Sequence, residues 1–118
     1  MQTELFISLC VAHLLGDFVF ANHEMAVNKH NPRTVYFYLH GFIHFILCYL
    51  FSGGNYTIAA IVALTHMIID TRLIVNFWQD LLKQTKDGDI GIIVKMALDQ
   101  TLHIATIYFI VRISIELL

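Results

Sequence analysis

Fixed charges are confined to a few short stretches of the chain, and long apolar runs separate them. From Thr34 to Ile69 no Asp, Glu, Lys or Arg occurs. A bilayer-crossing helix takes about 20 residues, so this run holds two. Ser52, Gly53, Gly54 and Asn55 divide it, because Gly and Asn favour a tight reversal. The pattern predicts helices over about 35–51 and 56–78. Ahead of them, residues 5–21 form a first helix, followed by a polar stretch over 22–33. The chain's only proline, Pro32, lies in that stretch, where its missing N–H does no harm. A second polar stretch, 79–91, precedes a fourth helix over about 92–118. The expected fold is all-α: one domain, residues 1–118, built as an integral membrane four-helix bundle with four transmembrane helices.

Two rival readings of this pattern fail. A cleaved leader needs a basic stretch ahead of its apolar core, yet no Lys or Arg precedes Lys29, and the first helix carries His13 and Asp17. A soluble bundle needs a polar face on every helix, and Ile43 to Phe51 offers little beyond His44. The basic residues then orient the chain. Lys29, Arg33, Lys83 and Lys86 fall in the connections after the first and third helices, with Arg72 and Lys95 near the same ends and only Arg112 at the other. Those connections are expected to be cytoplasmic and both termini outside. Trp78, Tyr36 and Tyr38 fall at that boundary, as an aromatic belt would.

Composition narrows the function classes. Hydrophobic residues make up 58% and charged residues 14%, against about 25% charged in soluble domains. The net charge of −2, with no basic run, excludes a nucleic-acid footprint. Cys10 and Cys48 are too few for a disulfide-rich scaffold, and no CxxC supports a thiolate zinc site. They stand three and four residues from His13 and His44, on the same helix faces, where small residues commonly pack. The expected partner is the lipid bilayer, and a homo-oligomer is compatible with the sequence.

The ionisable residues inside the apolar segments come in pairs. His13 and Asp17, His40 and His44, His66 and Asp70, and Asp99 and His103 are each spaced i,i+4, on one face of a helix. With alternating helix directions, Asp17, His40, Asp70 and Asp99 lie about one to two turns from the cytoplasmic ends, and the other four about one turn deeper. One lone histidine would read as a helix-packing hydrogen bond, and His/Asp pairs also build metal-free proton relays. Five imidazoles and three carboxylates at one depth exceed what packing needs, and unpaired carboxylates in hydrocarbon are expensive. One or two divalent ions are therefore expected, held by these eight residues. The donor set favours zinc, with manganese or iron as alternatives.

The segments His13-Leu-Leu-Gly-Asp17-Phe, Met25-Ala-Val-Asn28-Lys29, His66-Met-Ile-Ile-Asp70 and Asp99-Gln100-Thr-Leu-His103 together resemble one family pattern. It is that of small bacterial and phage polytopic membrane proteins of uncharacterised function, similar in turn to membrane-bound metal-dependent hydrolases. Ala21 stands where that pattern commonly has glutamine. The resemblance implies the inner, cytoplasmic membrane and a metal-assisted hydrolysis. The bond attacked would be a phosphoester of an amphiphilic or phosphorylated substrate, with Asp17, Asp70 or Asp99 as general base. Asn28 and Lys29, at the mouth of the site, are substrate-binding candidates, although Lys29 and Arg72 also read as ordinary cytoplasmic anchors. Gln100 points about 100° from Asp99 and reads as a support for the ligands or as a bond to a neighbouring helix. A divalent-cation transporter or metal-handling protein is the alternative function, and a b-type cytochrome a remote one.

Overall fold

The computed structural model describes residues 2–117, the last three by backbone alone. All regular structure among them is helical: α1 (Gln2–Leu14), α2 (His23–Asn28), α3 (Val35–Phe51), α4 (Tyr56–Asp70), α5 (Leu73–Leu82) and α6 (Gly88–Leu117). α1 runs directly into a π-helical turn, Leu15–Val19, closed by the Phe20 N–H donating to the Leu15 carbonyl at 2.9 Å. Local chemistry sets the boundaries. Asn22 caps α2 and Asn55 caps α4, each side-chain oxygen accepting the backbone N–H three residues on. Gly53 and Gly54, both at positive φ, make the reversal between α3 and α4.

The polar stretch after the first helix contains a helix of its own, α2, which buries Met25. α6 begins at Gly88, four residues ahead of the expected start, and residue 118 lies outside the described residues. The expected continuous helix over 56–78 is corrected. It breaks after Asp70, and α5 departs from α4 at 53°. Arg72 adopts the left-handed conformation (φ 63°, ψ 10°), and the Thr71 hydroxyl donates to the Ile68 carbonyl, which together end α4. α5 then buries Val75 and Gln79 and exposes Leu73, Ile74, Phe77, Trp78 and Leu81.

α1, α3, α4 and α6 pack in a closed ring in that order. At one end their inner faces form an apolar core of Leu9, Ala12, Leu47, Ile58, Val62, Ile107 and neighbours. Cys48 is buried in that core and Cys10 packs against it. The polarity of the remainder is inverted relative to a soluble protein. The largest fully buried side chains include His13, His40, His44, His103 and Asp70, while Ile7, Phe42, Leu64, Ile68 and Phe109 point outward. Two helical stretches, Gln2–Val19 and Gly88–Ser114, are long and apolar enough to cross a membrane, and the bent α4–α5 pair makes a third if counted as one span. This surface and these helices are those of a membrane protein. α3, with 17 residues, is about 25 Å long at 1.5 Å per residue, a little short of a hydrocarbon core of about 30 Å.

Candidate metal centre

Each helix of the ring contributes one of the i,i+4 pairs to the interior, so all eight side chains meet in one layer below the apolar core. None of the eight is more than 5% exposed. Asp17 lies at the middle of the layer. Its Oδ1 is 3.1 Å from the Nε2 atoms of both His40 and His44 and 3.6 Å from that of His66. Its Oδ2 is 3.2 Å from His13 Nε2 and accepts from Gln100 Nε2 at 3.0 Å. Gln100 Oε1 in turn lies 2.8 Å from His13 Nε2. Gln100 therefore ties α6 to both members of the α1 pair.

Asp70 forms the second focus. His66 Nε2 is 2.9 Å and His40 Nε2 3.3 Å from its Oδ2, and His103 Nε2 is 3.4 Å from its Oδ1. Neither Asp70 oxygen has a well-formed hydrogen bond, and Asp99 Oδ1 is likewise unpartnered. All five imidazoles point Nε2 toward the carboxylates. For His103 the reason is local: its Nδ1–H donates to the Asp99 backbone carbonyl at 2.6 Å. In the neutral ring that bond leaves a bare lone pair on Nε2, facing the Asp70 carboxylate and the His66 carbonyl, 3.3 Å away. Acceptors then face acceptors, an arrangement that a cation between them relieves.

Charge bookkeeping leads to the same conclusion. Three buried carboxylates are met by one ammonium, Lys29 Nζ, 3.8 Å from Asp17 Oδ1. With neutral imidazoles that leaves two uncompensated negative charges, the complement of one divalent ion. The spacing also fits. Donor atoms around a tetrahedral ion with bonds of about 2.0–2.1 Å lie about 3.4 Å apart. Three overlapping groups keep their ligand atoms within 4.8 Å of one another: His13, Asp17, His44 and His66; His40, His66 and Asp70; and Asp70, Asp99 and His103. These clusters can hold a metal ion, and neither cysteine belongs to them.

Backbone geometry makes the layer compact. Gly16, in the π-helical turn, lies against the His44 ring, and a Cβ there would be 2.6 Å from both Cε1 and Nε2. The rings are close-packed, with His44 and His66 stacked at 3.6 Å between centroids.

On the side away from the apolar core the layer opens into a cavity of about 400 Å³. Asp17, Asp99 and Gln100 form its floor, and Lys29, His30, Arg72, Lys86 and Lys95 line its walls. Lys29 thus stands where the sequence suggests, between Asp17 and the opening. Asn28 does not line the cavity; its amide donates to the Glu24 carbonyl at 2.9 Å within α2. His30 and Lys95 are site residues that the pairing pattern misses: His30 has no ionisable residue four positions away, and Lys95, although four residues before Asp99, reads from the sequence as a cytoplasmic anchor. The His30 Nδ1–H donates to the Asp70 carbonyl at 2.8 Å. Burial, with Arg72 alongside, holds His30 below the usual histidine range, so its Nε2 is an acceptor at neutral pH.

Comparison with known proteins adds a family without a function. A family model described as a protein of unknown function (DUF3307) matches residues 5–117. No curated protein matches the chain, and no solved structure does.

Proposed function

We propose that this chain, which belongs to the DUF3307 family, is a four-helix integral membrane protein that binds one or two divalent ions and hydrolyses a phosphoester of an amphiphilic or phosphorylated substrate. One observation carries this reading. A buried layer of three carboxylates, five imidazoles and one ammonium opens directly into a cavity whose walls are cationic. The first feature suits a metal and the second an anionic substrate arriving beside it.

His13, Asp17, His40, His44, His66, Asp70, Asp99 and His103 are the proposed ligands, with zinc the best match to their donor set and manganese or iron as alternatives. A divalent ion bound there supplies Lewis acidity toward an ester oxygen and makes a nearby water more acidic. The other steps belong to the chain's own groups. Asp99 is the preferred general base, in place of its ligand role, because its unpartnered Oδ1 adjoins the cavity, whereas Asp17 is engaged by four imidazoles, Lys29 and Gln100. Gln100 holds Asp17 and His13 in position. Lys29 meets the substrate's phosphate. α1, α3, α4 and α6 are the proposed membrane spans of this single domain, with the Lys29 and Lys83 connections cytoplasmic and both termini outside. The 17 residues of α3 sit at the lower limit for a span.

A divalent-cation carrier would use the same ligands, but a mouth lined by Lys29, Arg72, Lys86 and Lys95 repels its cargo. A b-type haem would engage two of the imidazoles and leave the three buried carboxylates without a partner.

Elemental analysis together with a phosphoester panel tests the proposal. Purified protein should carry one or two divalent ions per chain and turn over at least one phosphoester. Lys29→Ala should retain the metal and lose about ten- to a hundredfold in rate, the equivalent of a charge-assisted hydrogen bond of about 1.5–3 kcal/mol. Metal-loaded protein that hydrolyses nothing yet moves zinc into proteoliposomes would replace the hydrolase reading with the carrier.

A further inference from the structure

The cavity above the His/Asp layer has two kinds of wall. On one side are the cations. Lys29 is paired with Asp17, and Lys86 with Asp80. Arg72 and Lys95 form no ion pair with any described carboxylate, although both are half-buried and line the cavity. The Arg72 Nε is buried without a hydrogen-bond partner. Its backbone is held in the left-handed region that a non-glycine residue enters only at an energetic cost. That conformation ends α4 and brings the arginine to the cavity rather than along the helix. Two cations without partners in a partly enclosed space are a place for an anion, and a guanidinium presents a fork that matches phosphate oxygens.

The other side is apolar. Phe18, from the π-helical turn, and Ile92 and Met96, from the first turns of α6, line the same cavity while also being exposed on the outer surface of the bundle. That surface is apolar, so the side wall of the cavity communicates with the region where lipid chains would lie.

We infer that this cavity receives the phosphate head of a membrane amphiphile, with Arg72 and Lys95 as its head-group contacts and the opening beside Phe18, Ile92 and Met96 as the exit for its tail. The inference rests on the hydrolase reading, since it names the class of substrate presented to the layer below. It makes Arg72 and Lys95 binding residues rather than ordinary surface cations. It also brings the substrate in sideways from the bilayer, so that the tail never leaves hydrocarbon while the head meets Asp99 and Lys29.

The test is calorimetric titration of the full chain in dodecyl maltoside micelles with dodecyl phosphate, and separately with inorganic phosphate. Metal is counted on every sample. Arg72→Gly suits the first variant, because glycine accepts the left-handed backbone at that position and the helix break survives. Lys95→Gln is the second, and Lys83→Gln, whose side chain is exposed and does not line the cavity, is the control. The wild type should bind one dodecyl phosphate per chain. Arg72→Gly and Lys95→Gln should each weaken binding by about tenfold or more, while the control leaves it unchanged. Inorganic phosphate should bind at least about tenfold more weakly than dodecyl phosphate, because it lacks the apolar contact. Dodecyl phosphate binding that ignores both variants, or no binding at all, overturns the inference. Inorganic phosphate binding as tightly as dodecyl phosphate overturns the sideways entry and assigns the cavity a water-soluble phosphate. The metal count stands apart from these results: a metal-free wild type defeats the hydrolase reading, whatever the titration gives.

Discussion

Asp70→Asn should have opposite effects on stability with and without metal. Asp70 is 1% exposed, and neither of its oxygens has a well-formed hydrogen bond, although three imidazole Nε2 atoms stand 2.9–3.4 Å away. In metal-free protein it is one of three buried carboxylates matched by a single ammonium. The amide keeps the shape, removes one uncompensated charge and can donate to an imidazole lone pair. Relief of an unsatisfied buried group of this kind is worth about 1–3 kcal/mol. Metal-free Asp70→Asn should therefore melt several degrees above metal-free wild type. In loaded protein the order reverses. A ligand present at a thousand times its Kd stabilises the native state by about 4 kcal/mol, or about 10–20 °C for a chain of this size. Asp70 belongs to two of the three ligand groups, so the amide should remove most of that gain. Thermal melts followed by circular dichroism, with excess chelator or excess zinc, give all four values. The reasoning is refuted if Asp70→Asn is less stable than wild type under chelator and shows the wild-type shift on adding zinc.

The remaining predictions address the packing, the topology and α5. Gly16→Ala puts a carbon 2.6 Å from two His44 ring atoms, against a normal contact of about 3.5–4.0 Å. It should lower stability by about 1–3 kcal/mol and weaken metal binding; wild-type values for both would show that the ring moves freely. Cysteines introduced by Lys86→Cys and Gly54→Cys, in a chain lacking Cys10 and Cys48, should react with a membrane-impermeant reagent added outside only at position 54, and the reverse pattern would invert the topology. Trp78, the chain's single tryptophan, is exposed on the apolar face of α5 and should be quenched more by head-group-level labelled lipids than by labels near the bilayer centre. Equal or deeper quenching would return residues 73–78 to a continuous membrane span.

The ring of helices and the make-up of the His/Asp layer were legible in the sequence because each rests on a local rule. The absence of charge from Thr34 to Ile69 and the Gly53–Gly54 reversal mark α3 and the start of α4. The i,i+4 spacing of the four pairs is enough to bring eight side chains inward once the helices pack as a ring. What was not legible depends on backbone states that no residue type announces. Nothing in Asp70-Thr71-Arg72-Leu73 is a Gly or Pro, yet Arg72 turns left-handed and the apolar pattern after it belongs to a second helix. α5 is read correctly only when Val75 and Gln79, four residues apart, are seen to be its buried side. His30 reaches the site through an intervening loop and binds a backbone carbonyl, an acceptor that any sequence would have offered. Gly16 beside Asp17 was the one visible trace of the close approach to His44.

The wide turn at Leu15–Val19 also closes α1 with one residue more than an α-helical turn would hold. Leu9, Ala12 and His13 face the bundle interior from the α-helical part, and Asp17 does so from within the turn. An i→i+5 bond takes up one residue more than the i→i+4 bond of an α-helix. Loss of a single residue from this turn can be absorbed as it closes to an ordinary α-helical turn. The same loss within Gln2–Leu14 would rotate the residues on one side by about 100° relative to those on the other. The end of α1 that carries Asp17 is therefore a reserve of length, tolerant of a change that the part packing the apolar core is not.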